Sequence, residues 1–167
     1  MNTSIPAPTQ SSPRLNFFSA GPEAMRAMGA LDQRIAQSHL EKPLVELIKI
    51  RVSQINGCAF CIDRHVSDAR RAGEDERRIA TLQVWRDTPF FSSRERAALA
   101  WAEALTSIAD DHVSDALWES VQAEFSPADL VDLTLAVNAI NGWNRLSIAF
   151  HATAGHYKAG SLAAKSA

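Results

Sequence analysis

Apolar side chains recur along most of the chain at intervals of three and four residues, the spacing that lays them on one face of an α-helix. Met25, Met28, Leu31 and Ile35 follow Pro22, which suits a first helical turn. Leu44, Leu47, Ile48, Val52 and Ile55 form one stripe over 41–56, and Gly57 behind Asn56 is a natural helix stop. The next helix is expected to begin at once near Cys58 and to run to Gly73, with a short one over 75–82. Ser92 and Glu95 make a capping box ahead of a helix carrying Ala98, Trp101, Ala102, Leu105 and Ile108. Ser114 caps another, with Leu117, Val121 and Phe125 on one side. Ser126, Pro127 and Asp129 open the longest apolar helix, expected to reach about Ala154. No run alternates in the manner of a strand, so the fold class is all-α. Short connections at 56–57 and 125–126 predict helical hairpins packed into a multi-helix bundle.

The ends of the chain differ from this pattern. Pro6, Pro8 and Pro13 among Ser, Thr and Asn predict a flexible arm over 1–20, and the Ala, Gly, Ser and Lys of 159–167 predict a flexible tail. A single helical domain over 21–158 lies between them. Within it Ile55-Asn56-Gly57 recurs as Ile140-Asn141-Gly142, each behind an apolar helix that carries an acid, Glu46 in one and Asp132 in the other. The echo reads either as a degenerate helix-hairpin repeat or as chance.

Composition narrows the function classes. At 167 residues and 46% hydrophobic, the chain has the material for one well-buried core. Lys and Arg number 17 against 19 Asp and Glu, a net charge of −2 that leaves no basic footprint for a nucleic acid. The apolar stretch from Leu130 is broken by Asp132 and Arg145, so no membrane span is expected. The first twelve residues hold no basic residue and no apolar core of a secretory signal, and a cytoplasmic, reducing location is the expectation. In such a compartment two cysteines make a poor structural staple, yet Cys58 and Cys61 stand three positions apart.

On a helix, Cys58, Cys61 and His65 fall within an arc of about 60°. Ile62, Ala69 and Ala72 lie on or beside that arc, so the thiols and the imidazole are expected to face the bundle interior in a half-buried site. Two cysteines three apart on a helix have Cα atoms about 5 Å apart, within disulfide range. A helix N-terminus favours a thiolate, which singles out Cys58. His65, one turn beyond Cys61, is placed to take that thiol's proton. Glu46, on the preceding helix between Val45 and Leu47, is the candidate to orient the imidazole.

Other readings compete. Cys58, Cys61, His65 and Glu46 are four ligands of types that zinc accepts, although no second Cys pair completes the usual closed site. Haem attachment fails because Ile62 stands where the motif needs His. Buried inert cysteines and a solvated Glu46 are the plain structural alternatives. His39, His112, His151 and His156 read as surface or capping residues. Trp85, Phe90 and Phe91 read as core or as the wall of a channel to the thiols, while Trp101 and Trp118 fit core faces. Asn144 and Arg145 read as structural hydrogen-bonding or interface residues.

Glu46, eleven residues, Cys58, two residues, Cys61, three residues and His65 together resemble the signature of the alkylhydroperoxidase D-like group in the carboxymuconolactone decarboxylase superfamily. The likeness extends through the Ala72-Gly73 helix end, the Trp85-Arg86-Asp87-Thr88-Pro89-Phe90 segment and the helix from Glu95 to Leu105. It implies an all-α fold, a homo-oligomer such as a trimer or hexamer, and reduction of alkyl hydroperoxides by thiols without haem or flavin. By that resemblance Cys61 attacks the peroxide oxygen and becomes a sulfenic acid, while Cys58 supplies a proton and then condenses to the disulfide. His65 and Glu46 form the proton relay through a water. An external dithiol, a lipoylated or thioredoxin-like protein, reopens the disulfide. Well-studied members carry a second His where this chain has Phe60, which puts the substrate in question. The decarboxylase branch, a lyase acting on a small ring acid, lacks the cysteine pair. A non-catalytic redox-sensing module is the other alternative.

Overall fold

In the computed structural model, which describes residues 12–110 and 112–159, the apolar stripes become eight α-helices. They are α1 (Phe17–Ala20), α2 (Pro22–Ala36), α3 (Lys42–Asn56), α4 (Ala59–Arg71), α5 (Glu76–Thr81), α6 (Ser93–Thr106), α7 (Asp115–Gln122) and α8 (Pro127–Ala149). A 3₁₀ segment, Leu82–Asp87, follows α5. No strand occurs among the described residues, and the molecule is an all-α bundle.

Helix α3 is the centre, packed against α4, α6 and α8. Its sequence accounts for this, because it is apolar on more than one side. Leu44, Val45, Ile48 and Val52 join the main core with Cys58, Cys61 and residues of α6 and α8. Leu47 and Ile50 instead meet Ala69, Ile79, Leu82, Trp85, Phe91 and Leu99 in a second cluster. Each such Leu or Ile contributes about 1.5–3 kcal/mol on burial, which secures the helix that must also carry a half-buried Glu46.

The α3–α4 turn sets the site. Gly57 adopts left-handed backbone (φ +70°), its N–H bonds to the carbonyl of Gln54, and the N–H of Cys58 bonds to that of Ser53. These two bonds are a Schellman motif, which only a residue tolerant of positive φ closes cheaply. Cys58 therefore ends one helix and caps the next.

Several boundaries differ from expectation. Helix α6 stops at Thr106, which leaves Ile108 50% exposed. Helix α8 stops at Ala149 rather than near Ala154, because His151 takes positive φ (54°) and the N–H groups of His151 and Ala152 bond back to Ile148 and Ser147. It is a second Schellman turn without the glycine that normally advertises one. The arm over 1–20 gains structure before its expected end. Arg14 donates to the Phe150 and Ala149 carbonyls at the C-terminus of α8, and α1 sets Phe17 and Phe18 against Phe150 and Trp143. The rest of that arm, residues 1–11, and all but Ala159 of the expected tail lie outside the described residues.

The second Ile-Asn-Gly lies inside continuous α8 and makes no turn, so it does not mark a second hairpin. Gly142 lets Met28 pack close to the helix, and Asp132 pairs with Arg34. The echoed asparagines nevertheless meet. Asn56 donates to both Asn141 and Asn144 at 2.9 Å, and Asn144 donates to Ser53, a buried polar network that ties α3 to α8. Trp118, expected in the core, is 43% exposed and borders an apolar groove of about 670 Å³ with Trp101 and Val131. No helix of the described residues is long and apolar enough to cross a membrane.

Candidate active site

Cys58 and Cys61 are joined as a disulfide, with Cα atoms 5.3 Å apart. Cys58 is the N-cap of α4, and its sulfur accepts the backbone N–H of Cys61 at 3.3 Å. That bond is one that a thiolate would accept more strongly once the disulfide opens. Cys61 and His65, one turn apart on α4, face the same cavity. Cys58, Cys61 and His65 are only 2%, 3% and 4% exposed, so the site is deeper than the half-buried one that periodicity predicts. The extra cover comes from α1 and the chain beyond α8, neither of which adjoins α4 in sequence.

Glu46 reaches His65 across the α3–α4 hairpin, with Oε2 2.9 Å from Nδ1, and Lys49 Nζ lies 3.8 Å from its other oxygen. A carboxylate only accepts, so Nδ1 carries the proton and Nε2 is the ring's basic atom. Burial pushes the His65 pKa down, and the bond and charge of Glu46 only partly reverse this, so the imidazole is neutral at pH 7. Burial alone would raise the Glu46 pKa. The His65 hydrogen bond and the positive charges of Lys49 and Arg64 outweigh it, and the group stays ionised.

The cavity beside Cys61 and His65 has a volume of about 230 Å³. Its apolar walls are Phe17, Phe18, Phe60, Ile140 and Trp143, and Arg64, His156 and Tyr157 add polar groups. A second recess, of about 360 Å³, lies on the Cys58 side, with His151 on its wall and with Phe60 and Ser147 shared between the two. Phe60, in the position of the family's second His, thus forms an apolar partition. Helical spacing already holds the signal for Arg64, which is three residues beyond Cys61 and about 60° around the helix from it. Phe17, Phe18, His156 and Tyr157 carry no local signal, since only tertiary folding brings them in.

Trp85 and Phe91 are buried in the second cluster and Phe90 packs against it; none lines the cavity beside Cys61. His39 and His112 border neither recess, whereas His151 and His156 do. Asn144 is a buried structural residue and Arg145 is exposed. For a metal, the ligand atoms within 4.8 Å of one another belong to Glu46, His65 and Asp68. The Glu46 and Asp68 carboxylates are engaged by His65 and by the Tyr157 hydroxyl, and in the disulfide state Cys58 and Cys61 offer no thiolate to zinc.

Residues 22–104 match the carboxymuconolactone decarboxylase family. The chain is 46% identical over 138 residues to the uncharacterized protein YdfG of Bacillus subtilis, covering 83% of this chain and 94% of that one. A crystal structure from Agrobacterium tumefaciens, of a protein of unknown function considered a candidate antioxidant defence protein AhpD, superposes with a TM-score of 0.84 at 40% identity. That match covers 87% of this chain and 100% of the other. An uncharacterized peroxidase-related protein from Silicibacter sp. TM1040 shares the fold, with a TM-score of 0.74 at 24% identity over 83% of this chain and 74% of its own. With the Glu46, Cys58, Cys61 and His65 constellation in a bundle of this topology, the chain belongs to the carboxymuconolactone decarboxylase family as an alkylhydroperoxidase D-like member.

Proposed function

We propose that this chain is a cofactor-free thiol peroxidase that reduces alkyl hydroperoxides through a Cys58–Cys61 dithiol/disulfide cycle. Membership of the family supports peroxidase-related or decarboxylase-like chemistry. One observation favours the former: the redox pair has one sulfur in a cavity shared with an imidazole whose other nitrogen is held by a half-buried carboxylate. A lyase acting on a ring acid has no use for that pair.

In the reduced protein His65 Nε2 takes the Cys61 proton, and the thiolate attacks one peroxide oxygen. The O–O bond breaks, its electron pair leaves with the alkoxide, and the proton passes from His65 to give an alcohol and the Cys61 sulfenic acid. The Cys58 sulfur then displaces the hydroxyl, gives up its own proton and forms the disulfide and water. An external dithiol, of the lipoyl or thioredoxin-like class, returns both thiols by exchange. The cycle belongs in a reducing compartment such as the cytoplasm, and the enzyme works as a homo-oligomer, a trimer or hexamer, which light scattering measures.

Mixing the reduced protein with excess cumene hydroperoxide in a stopped-flow instrument, and then supplying dihydrolipoamide, tests this. Loss of two thiols per chain and repeated turnover are expected. Unchanged thiols overturn the proposal. A single oxidation that never cycles identifies a sensor, and an activity that survives alkylation of both thiols identifies a lyase.

A further inference from the structure

The cavity proposed to receive the peroxide is lined by a guanidinium whose Nε finds no hydrogen-bond partner among the described residues. The group belongs to Arg64 and this Nε is buried, a state that folded proteins rarely leave uncorrected. The carboxylates near it are engaged elsewhere. Asp63 accepts the N–H of Gly155 at 2.8 Å, Asp68 accepts the hydroxyl of Tyr157, and Glu46 holds His65 and Lys49. The guanidinium lies over the Tyr157 ring, 5.7 Å from its centroid, a contact that orients it without using its N–H donors. Around it Phe17, Phe18, Phe60, Ile140 and Trp143 supply apolar walls.

From this we infer that the substrate is a compact amphipathic hydroperoxide carrying a carboxylate, an aryl or short alkyl hydroperoxide whose separate carboxylate is held by Arg64 while its peroxide meets Cys61. The inference deepens the peroxidase reading and rests on it for the reacting group. A guanidinium matches a carboxylate in shape and donor geometry, and an apolar surround strengthens the pair. A volume of about 230 Å³ falls below the 300–1,000 Å³ typical of drug-sized ligands, so the body of the substrate is small. Phe60 fits this assignment, since a phenyl wall at that place contacts a hydrocarbon body where a histidine would offer a second polar group.

Two measurements test it. Calorimetry on the disulfide form compares 4-isopropylbenzoate with 4-isopropylbenzamide, neither of which reacts with thiols. The carboxylate is expected to bind at least tenfold more tightly, Arg64→Gln to abolish the preference, and Arg64→Lys to keep part of it. Equal binding of the two compounds, a preference that persists in Arg64→Gln, or equal losses in the two variants overturns the inference. Stopped-flow oxidation of the reduced protein then compares cumene hydroperoxide with its ring-carboxylated analogue. The ratio of their rate constants should exceed ten and collapse toward one in Arg64→Gln. A loss that is the same for both peroxides assigns Arg64 to the thiolate and overturns the carboxylate site. If neither peroxide oxidises the thiols, the peroxidase reading fails, and calorimetry still decides whether Arg64 holds a carboxylate.

Discussion

Nδ1 of His65 lies 2.9 Å from Oε2 of Glu46, a contact made between two helices across a single glycine turn. The pair holds the imidazole in one tautomer beside Cys61, and the charge of Glu46 steadies the imidazolium that forms when the thiol gives up its proton. Glu46→Gln keeps the size and removes the charge. The second-order rate of thiol oxidation by cumene hydroperoxide should fall at least about tenfold, measured by stopped flow. A rate equal to wild type would remove Glu46 from the relay.

The two cysteines should separate by product. Cys61→Ser is expected to abolish peroxide consumption. Cys58→Ser is expected to consume one equivalent and stop as a sulfenic acid, trapped as a dimedone adduct and read by mass spectrometry. The reverse assignment of adducts would make Cys58, which the helix N-terminus favours, the attacking sulfur.

Acid should weaken the fold through the same pair. Both folded pKa values lie below the ordinary ones, 6.5 for His and 4.5 for Glu, so in this range the unfolded chain binds more protons than the folded one. The sign is the same for both groups, and stability rises with pH. The contribution is complete above about pH 6.5 and is lost as pH falls through the depressed values of the two groups. Urea denaturation at pH 7.5, 6 and 5 should show this slope, and His65→Gln should flatten its upper part.

Asn144 is fully buried, donating to Ser53 and accepting from Asn56. Asn144→Ala removes the bond to Ser53, leaves Asn56 with Asn141 alone and opens a small void, at a cost of about 2–4 kcal/mol in chemical denaturation. Asn138→Ala, on the exposed side of the same helix, should change stability by less than about 0.5 kcal/mol.

The glycines of the echoed triplets should part company. Gly57→Ala forces a Cβ into left-handed backbone and is expected to destabilise by about 1–2 kcal/mol. Gly142→Ala puts its Cβ 3.0 Å from Met28 Cε, the end of a flexible side chain, and recovers helix propensity of up to about 1 kcal/mol. A result near zero is expected there, with both proteins followed by thermal unfolding in the same redox state.

Local chemistry made much of this molecule legible before folding. The stripe of 41–56, the stop at Gly57 and the serine caps at 92, 114 and 126 depend on neighbours within four or five residues, and the helices formed where those signals stand. The phase of Cys58, Cys61 and His65 is equally local, since one helix sets it. Glu46 needed one more step, the reversal at Gly57, and that turn is also written in adjacent residues.

The surroundings of the thiols were decided at long range. The left-handed turn at His151 bears no glycine, so nothing local marks where α8 ends and the chain doubles back to bring Tyr157 over α4. Phe17 and Phe18 reach the cavity because Arg14 and α1 dock on the far end of α8, more than 130 residues away in sequence. Asn141, which resembles a turn residue in isolation, lies mid-helix because the apolar pattern continues past it and burial outweighs the local preference. The identity of the reacting groups is thus a property of short spacings, whereas the depth, shape and charge of the cavity around them exist only once α1 and the segment just beyond α8 have packed across the central hairpin.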